Sequence, residues 1–236
     1  ELDGGNGVRK REITGVVTRV SGPVLEGRHY TYGLVLRPWL WLATCTTDYR
    51  IFQDKNVIEV LDELLADYNF PMDKRLSPAG YPPRTIQVQY GETDFAFFQR
   101  LTQEWGIAWY FEHANGHHRL VLADCNGAYK RFPNSAYQTL DWREPSDFQR
   151  SGGESLHAFN IVDQLVSGRW RGNDHDFSRP GADLTIRAEA PRETNHCNHE
   201  IHEWPAGHAQ PETDNDPLGE GALIARIRME ELRQYG

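Results

Sequence analysis

Apolar residues recur along this chain with two spacings, and the sharpest change between them falls between Arg84 and His113. Ile86, Val88 and Tyr90 alternate with Gln87 and Gln89, the two-residue period of a strand whose apolar face is buried. Gly91 interrupts the alternation. Thr93 is placed to cap a helix, and Asp94 to sit at its positive end. Phe95, Phe98, Leu101 or Thr102, and Trp105 fall on one helical stripe. Gly106 suits the left-handed geometry that ends a helix, and Ile107 to Phe111 read as an aromatic-rich strand. Arg119 to Ala123 is its hairpin partner across a polar turn at Ala114 to His118, where His117 and His118 are expected to be solvated.

The flanking stretches follow the same logic. Arg11 to Val20 reads as a strand ended by Gly22–Pro23. Tyr30 to Ala43 is apolar at alternate and intervening positions, which predicts a strand covered on both faces, with Pro38 at an edge or bulge. Its Trp39 and Trp41 are read as core rather than as a carbohydrate platform. Arg50 to Phe70 is a strand end followed by a helix. Asn56 and Glu59 have the spacing of a reciprocal cap, and Val57, Val60, Leu61, Leu64, Leu65 and Tyr68 share one face. Beyond a polar stretch, Ser151–Gly152–Gly153 marks a break, and His157 to Trp170 and Asp183 to Ala190 read as strands. Asp216 caps a last helix running to Tyr235, with Pro217 in its first turn. Short antiparallel strands punctuated by three amphipathic helices make an α+β class.

Composition narrows the function. A chain of 236 residues with 39% hydrophobic content folds, and a net charge of −9 with no basic block argues against nucleic acid. No apolar run reaches the ~20 residues that span a bilayer, so no integral membrane segment is expected. No secretory signal is visible. The polar opening without Met and the stop just past a helical pattern suggest an internal fragment. Cys45, Cys125 and Cys197 are odd in number and far apart, a poor disulfide framework that suits a reducing compartment.

Candidate chemistry is sparse. His196, Cys197, His199, His202 and His208 could supply zinc ligands, but the two histidines of H-E-I-H are three apart where a zinc-protease helix needs four, and paired cysteines are lacking. Asp214, Asp216 and Glu220 hint at calcium, yet a helix cap accounts for the same positions. With 34 acidic residues no carboxylate pair stands out, and there is no nucleophile elbow, phosphate loop or dinucleotide fingerprint. Glu92 and Asp94 around Thr93 are read as turn and cap. Catalytic, cofactor and metal residues are therefore expected to be none. The alternatives are a cell-wall or glycan hydrolase associated with secretion, and a metal-binding module.

Several words in order carry a resemblance: ITGVVTRV from Ile13, PWLWL at Pro38 to Leu42, RIFQ at Arg50 to Gln53, and YPPR at Tyr81 to Arg84. QYGETDFAF at Gln89 to Phe97, RL at Arg100 and Leu101, DHDFSRP at Asp174 to Pro180, HEWPAGHAQP at His202 to Pro211 and ARIRMEEL at Ala225 to Leu232 continue it. In these words the chain resembles the VgrG spike proteins of type VI secretion systems, in their contractile-phage baseplate hub-like region. His175 and His202 stand where that family commonly has tyrosine, and Trp105 where it tends to be acidic or small. The resemblance implies antiparallel β-barrel hub domains joined by an α/β part. Residues 1–49 would belong to a first barrel, 50–150 to the α/β region, 151–215 to a second barrel-like region, and 216–236 to the C-terminal helix. It further implies a structural protein that is a homotrimer in its full-length form. Its partners would be an Hcp-type tube protein, baseplate components and secreted effectors. It would be assembled in the bacterial cytoplasm and secreted into a target cell or the extracellular space. Trp39, Trp41, Phe95, Phe98 and Trp105 are the expected core supports.

Overall fold

The computed structural model describes residues 2–3, 10–77, 80–131, 139–142, 155–162, 164–190, 198–210 and 216–234. The elements are β1 (Leu2–Asp3), β2 (Lys10–Arg11), β3 (Val16–Glu26), β4 (His29–Arg37), a 3-10 turn at Trp39–Thr44, and β5 (Thr47–Lys55). There follow α1 (Val57–Leu65), β6 (Met72–Arg75), β7 (Arg84–Thr93), α2 (Asp94–Glu104), β8 (Ala108–Ala114) and β9 (His117–Ala123). Then come β10 (Asp141–Trp142), β11 (Ser155–Leu156), β12 (Arg169–Gly172), β13 (Ile186–Glu189), β14 (Glu200–Glu203) and α3 (Pro217–Gln234). The class is mixed α+β as expected. The sheets hold two or three strands each, and no closed barrel occurs among the described residues.

The chain forms two compact units whose segments interleave. The first gathers Glu1–Cys45, Tyr68–Ser77 and Ala108–Ile161. Its centre is the sheet β6-β9-β8, in which β6 runs parallel to β9 and β8 antiparallel to it. Leu120, Val121, Leu122 and Ala123 are buried. The β8–β9 turn is Asn115–Gly116, both left-handed, the geometry that a two-residue hairpin demands. His117 and His118 therefore open β9 rather than lie in the turn, and His118 is buried, which corrects the solvated reading of that residue. Arg75 stitches the sheet: it reaches Glu112 at 2.7 Å, Asp73 at 2.9 Å and the Tyr110 hydroxyl at 2.6 Å.

Tyr30 to Ala43 departs from expectation twice. Strand β4 ends at Arg37, and the chain turns at Pro38 into the 3-10 turn that buries Trp39 and Leu40. The strand itself is exposed on both faces: among the described residues it pairs only with β3, and no layer covers the two-stranded ribbon. Gly22–Pro23 does not end β3 either; the ladder passes it with a shift of register and continues to Glu26. A proline that cannot donate to the ladder is here absorbed by a bulge.

The second unit gathers Thr46–Asp67, Pro78–Ile107 and Val162–Gly236. Helix α1 starts as the sequence implies. Asn56 accepts from the Ile58 and Glu59 N–H groups at 2.9 and 3.0 Å, and Glu59 reaches back to the Asn56 N–H at 2.8 Å. Val57, Val60, Leu61, Leu64 and Leu65 are all buried. We expect Asn56→Ala to lower the unfolding free energy by about 1 kcal/mol, read from the midpoint of urea denaturation. In α2 the Thr93 hydroxyl accepts from the Ala96 N–H at 3.1 Å. Gly106, left-handed, ends that helix's last turn. The buried stripe is Phe97, Phe98, Leu101 and Thr102; Phe95 is only half-buried, and Phe97, absent from the expected stripe, stacks on Phe52 at 5.6 Å.

The three-stranded sheet of this unit, β13-β12-β14, packs on α3 around Trp170, Ile186, Ile224, Ala225 and Met229. Asp216 caps α3 by accepting from the Leu218 N–H at 3.1 Å. Of the strand expected over His157 to Trp170, the described residues show only its end, as the start of β12 (Arg169–Gly172); Val162 and Leu165 are exposed. Ser151–Gly152–Gly153 lies outside the described residues. No described helix is long and apolar enough to cross a membrane.

Candidate functional site: an open apolar sheet face over a buried polar layer

The two-stranded sheet β5–β7 inverts its sequence reading. In register, Tyr49 faces Tyr90, Ile51 faces Val88, and Gln53 faces Ile86. These side chains lie on the exposed side: Tyr90 is 79% exposed, Tyr49 69% and Ile51 67%. Gln87 and Gln89 point inward, and Gln89 is fully buried. The expectation that Ile86, Val88 and Tyr90 line the core is therefore corrected. The reason is a set of hydrogen bonds that apolar side chains could not make. The Gln89 Nε2 donates to Asp94 Oδ1 at 2.7 Å and to the Glu92 carbonyl at 3.1 Å. The Gln87 Nε2 donates to the Lys55 carbonyl at 3.2 Å. A buried amide bonded to a carboxylate at a helix start ties strand to helix more specifically than an aliphatic contact would.

What this leaves outside is an apolar face of Tyr49, Ile51, Ile86, Val88 and Tyr90, with the two tyrosine rings edge to face at 5.2 Å. Contiguous exposed apolar faces are a common feature of interaction surfaces in folded proteins. The first unit carries a comparable feature: hairpin β3–β4 exposes Val20, Leu25, Tyr30, Tyr32 and Leu34.

Beneath β7 lies a charged centre that the sequence did not single out. The Arg84 guanidinium is buried and stacks over Trp105 at 4.9 Å. It meets Glu220 at 2.8 Å and Glu104 at 3.4 Å, and donates to the Gly207 carbonyl. Burial pushes the Glu220 carboxyl up to about 7; Arg84 opposes this, and Glu104 and Asp174 add to it. Nearby, His208 is buried with Nε2 2.8 Å from the Leu184 carbonyl. Arg84 follows Pro82–Pro83, and its partners lie 20 and 136 positions away in the chain, so no local spacing could have announced it.

The candidate metal ligands that fall among the described residues do not assemble. His199 and His202 are exposed, and His202 Nδ1 lies 3.3 Å from Arg171. His208 is buried, and His196 and Cys197 lie outside the described residues, as does Asp214 of the calcium reading. Glu220 is turned to Arg84, and Asp216 caps α3. Among the described residues no group of three or more His, Cys, Asp or Glu could hold a metal ion. Glu92 and Asp94 serve the turn: Glu92 pairs with Arg100 at 2.6 Å, and Asp94 is held by Gln89.

An α+β chain with small open sheets and apolar outer faces has the makings of an assembly component. A solved structure places its fold. The tail protein from Neisseria meningitidis MC58 matches with a TM-score of 0.58 over 94% of this chain and 60% of that one, at 13% identity. The likeness is therefore one of fold. The chain belongs to the phage tail baseplate hub (GPD) family, which it matches over residues 1–236. It is similar to the type VI secretion system spike proteins VgrG1b and VgrG1c of Pseudomonas aeruginosa. Identity is 32% to each, over 95% and 100% of this chain, and 29% and 31% of theirs. The chain thus spans about a third of the length of the curated relatives it matches, and is VgrG- and hub-like in that region. The family is a structural one.

Proposed function

We propose that this chain is the hub part of a type VI secretion spike, a homotrimer in its full-length form that seats on an Hcp-type tube and carries effectors outward. The observation that carries the reading is the 32% identity to VgrG1b over 95% of the chain. The open sheets support it. A two-stranded ribbon is marginal alone, and β5–β7 keeps five apolar side chains on its uncovered face. A neighbouring copy that lies on this face would bury them, and β3–β4 would belong to the first barrel of the hub. A symmetric apolar interface of this kind needs no active site. The protein would be assembled in the bacterial cytoplasm beside the baseplate and expelled with the tube.

The test uses the full-length protein. Light scattering is expected to give the mass of three copies, and the double variant Ile51→Glu, Val88→Glu to give single copies with unchanged circular dichroism. A full-length protein that stays single, or a trimer indifferent to both charges, overturns the reading.

A further inference from the structure

Inside the first unit, two histidines and a threonine fix one another's protons. The backbone N–H of Trp39 donates to His118 Nε2 at 2.8 Å. That nitrogen therefore carries no proton, and the ring's hydrogen is on Nδ1. Nδ1 lies 3.3 Å from the Thr14 hydroxyl and donates to it. The same hydroxyl lies 3.2 Å from His113 Nδ1, and the Thr14 N–H donates to that nitrogen at 3.1 Å. His113 Nδ1 is thus an acceptor, and its ring hydrogen is on Nε2. The rings are stacked 5.7 Å apart at 28°. With Nε2 of His118 and Nδ1 of His113 both accepting, the Thr14 hydroxyl hydrogen is left to point at His113 Nδ1, and these bonds close only with both imidazoles neutral.

The relay holds down one element. Trp39 opens the 3-10 turn and is stacked on Phe70 at 5.1 Å, with Phe111 edge-on at 6.4 Å. Phe70 and Phe111 also contact the His118 ring, at 6.2 and 5.7 Å. Among the described residues, the ionisable groups around it are these. On the hairpin itself are His113, His117, Glu112 and Arg119, the last two paired at 2.7 Å. From the segment before β3 comes Glu12, whose carboxylate accepts from the Gly116 N–H. The 3-10 turn has no ionisable acid or base in its six residues, and Arg37 before it lies over Trp41. Among the described residues Glu112 and Glu12 are thus engaged elsewhere, and the charges that act on the His118 ring are those of His113 and His117.

We propose that this relay is an acid-sensitive latch: a second proton on His118 sets its Nε2–H against the Trp39 N–H, donor against donor, and releases the start of the 3-10 turn from the β8–β9 sheet. Burial first, then His113 and His117, already hold the His118 ring below the ordinary imidazole range. The sign follows from linkage. A histidine whose native value is depressed contributes stability that is complete above its unfolded value of ~6.5 and is lost as pH falls below it toward the native value.

The experiment is nuclear magnetic resonance of the isotope-labelled chain. At about pH 8 the expected spectrum shows His118 as the Nδ1–H tautomer and His113 as the Nε2–H tautomer. Below the inflection of His118, Trp39 amide protection, corrected for intrinsic exchange, should fall about tenfold per pH unit. His118→Gln keeps an acceptor for the Trp39 N–H and should abolish the acid step, while His117→Gln should retain it. An Nε2–H tautomer for His118 at about pH 8, or Trp39 protection that does not change while the His118 ring itself is seen to take up its second proton, overturns the latch. Both measurements are made on the unaltered chain and stand even if a variant fails to fold.

Discussion

Replacing Phe98 by alanine is expected to lower the unfolding free energy by about 3–5 kcal/mol. Phe98 has no exposed surface and lies on the face of α2 that carries Phe97 and Leu101. Its truncation removes a whole aromatic ring from a site that secondary structure surrounds, so collapse around the hole is limited and the cavity penalty adds to the lost burial. The loss is a large share of the ~5–15 kcal/mol available to a typical domain. Ile51→Ala is the matched comparison. Ile51 is as apolar as Phe98 and closer to a conventional strand residue, yet it lies on the open face and is 67% exposed. Its truncation should stay within about 0.5 kcal/mol in the isolated chain. Urea denaturation of both variants decides between them: similar shifts in midpoint would mean that the β5–β7 sheet is turned the other way.

That comparison also shows where the sequence was legible. The helices were, because their signals are local. Asn56 with Glu59 and Thr93 with Ala96 make bonds spanning three residues, and a 3.6 period read over α1 names its buried face completely. Strand faces were not, because a two-residue period gives two sides without saying which one meets the core. In β7 the aliphatic side was the natural choice, and the inward glutamines are explained only by Asp94 and Lys55, whose positions depend on the helix and strand around them. In β4 both sides are apolar, which reads as a covered strand when the covering layer is in the same chain. The described residues supply none, so the pattern records a need that folding of this chain leaves unmet. Trp41 and Phe95 were expected in the core and are half-buried for a related reason: their places on a short turn and at a helix start face outward more than the periodicity suggests. His118 was missed because a dipeptide beside Asn115–Gly116 reads as turn, while the alternation of β9 turns its second residue inward.

The Arg84 centre yields the other large effect, and its size should depend on pH. Arg84→Met is expected to cost about 3–5 kcal/mol at alkaline pH, the usual penalty for removing one partner of a buried ion pair. The variant loses the guanidinium over Trp105 and its bond to the Gly207 carbonyl, and leaves Glu104 and Glu220 facing each other without a counter-charge. Glu220 already titrates near 7 with Arg84 present, because burial, Glu104 and Asp174 outweigh the arginine. Without the arginine its carboxyl moves higher still, and on acidification it takes up a proton and the repulsion disappears. The cost of Arg84→Met should therefore shrink between about pH 8 and pH 5, leaving mainly the lost packing and hydrogen bond. The unaltered chain shows the same group from the other side. Its native value lies above the unfolded value of ~4.3, so the contribution of Glu220 is complete below the unfolded value and is lost as pH rises through about 7. Glu220→Gln removes that dependence: it should gain on the parent at the alkaline end and match it at the acid end. Denaturation midpoints for the parent, the two single variants and the double variant at both pH values make the test. If Arg84→Met costs the same at each, the arginine acts through its stacking on Trp105, and the charge of Glu220 is not what the centre responds to.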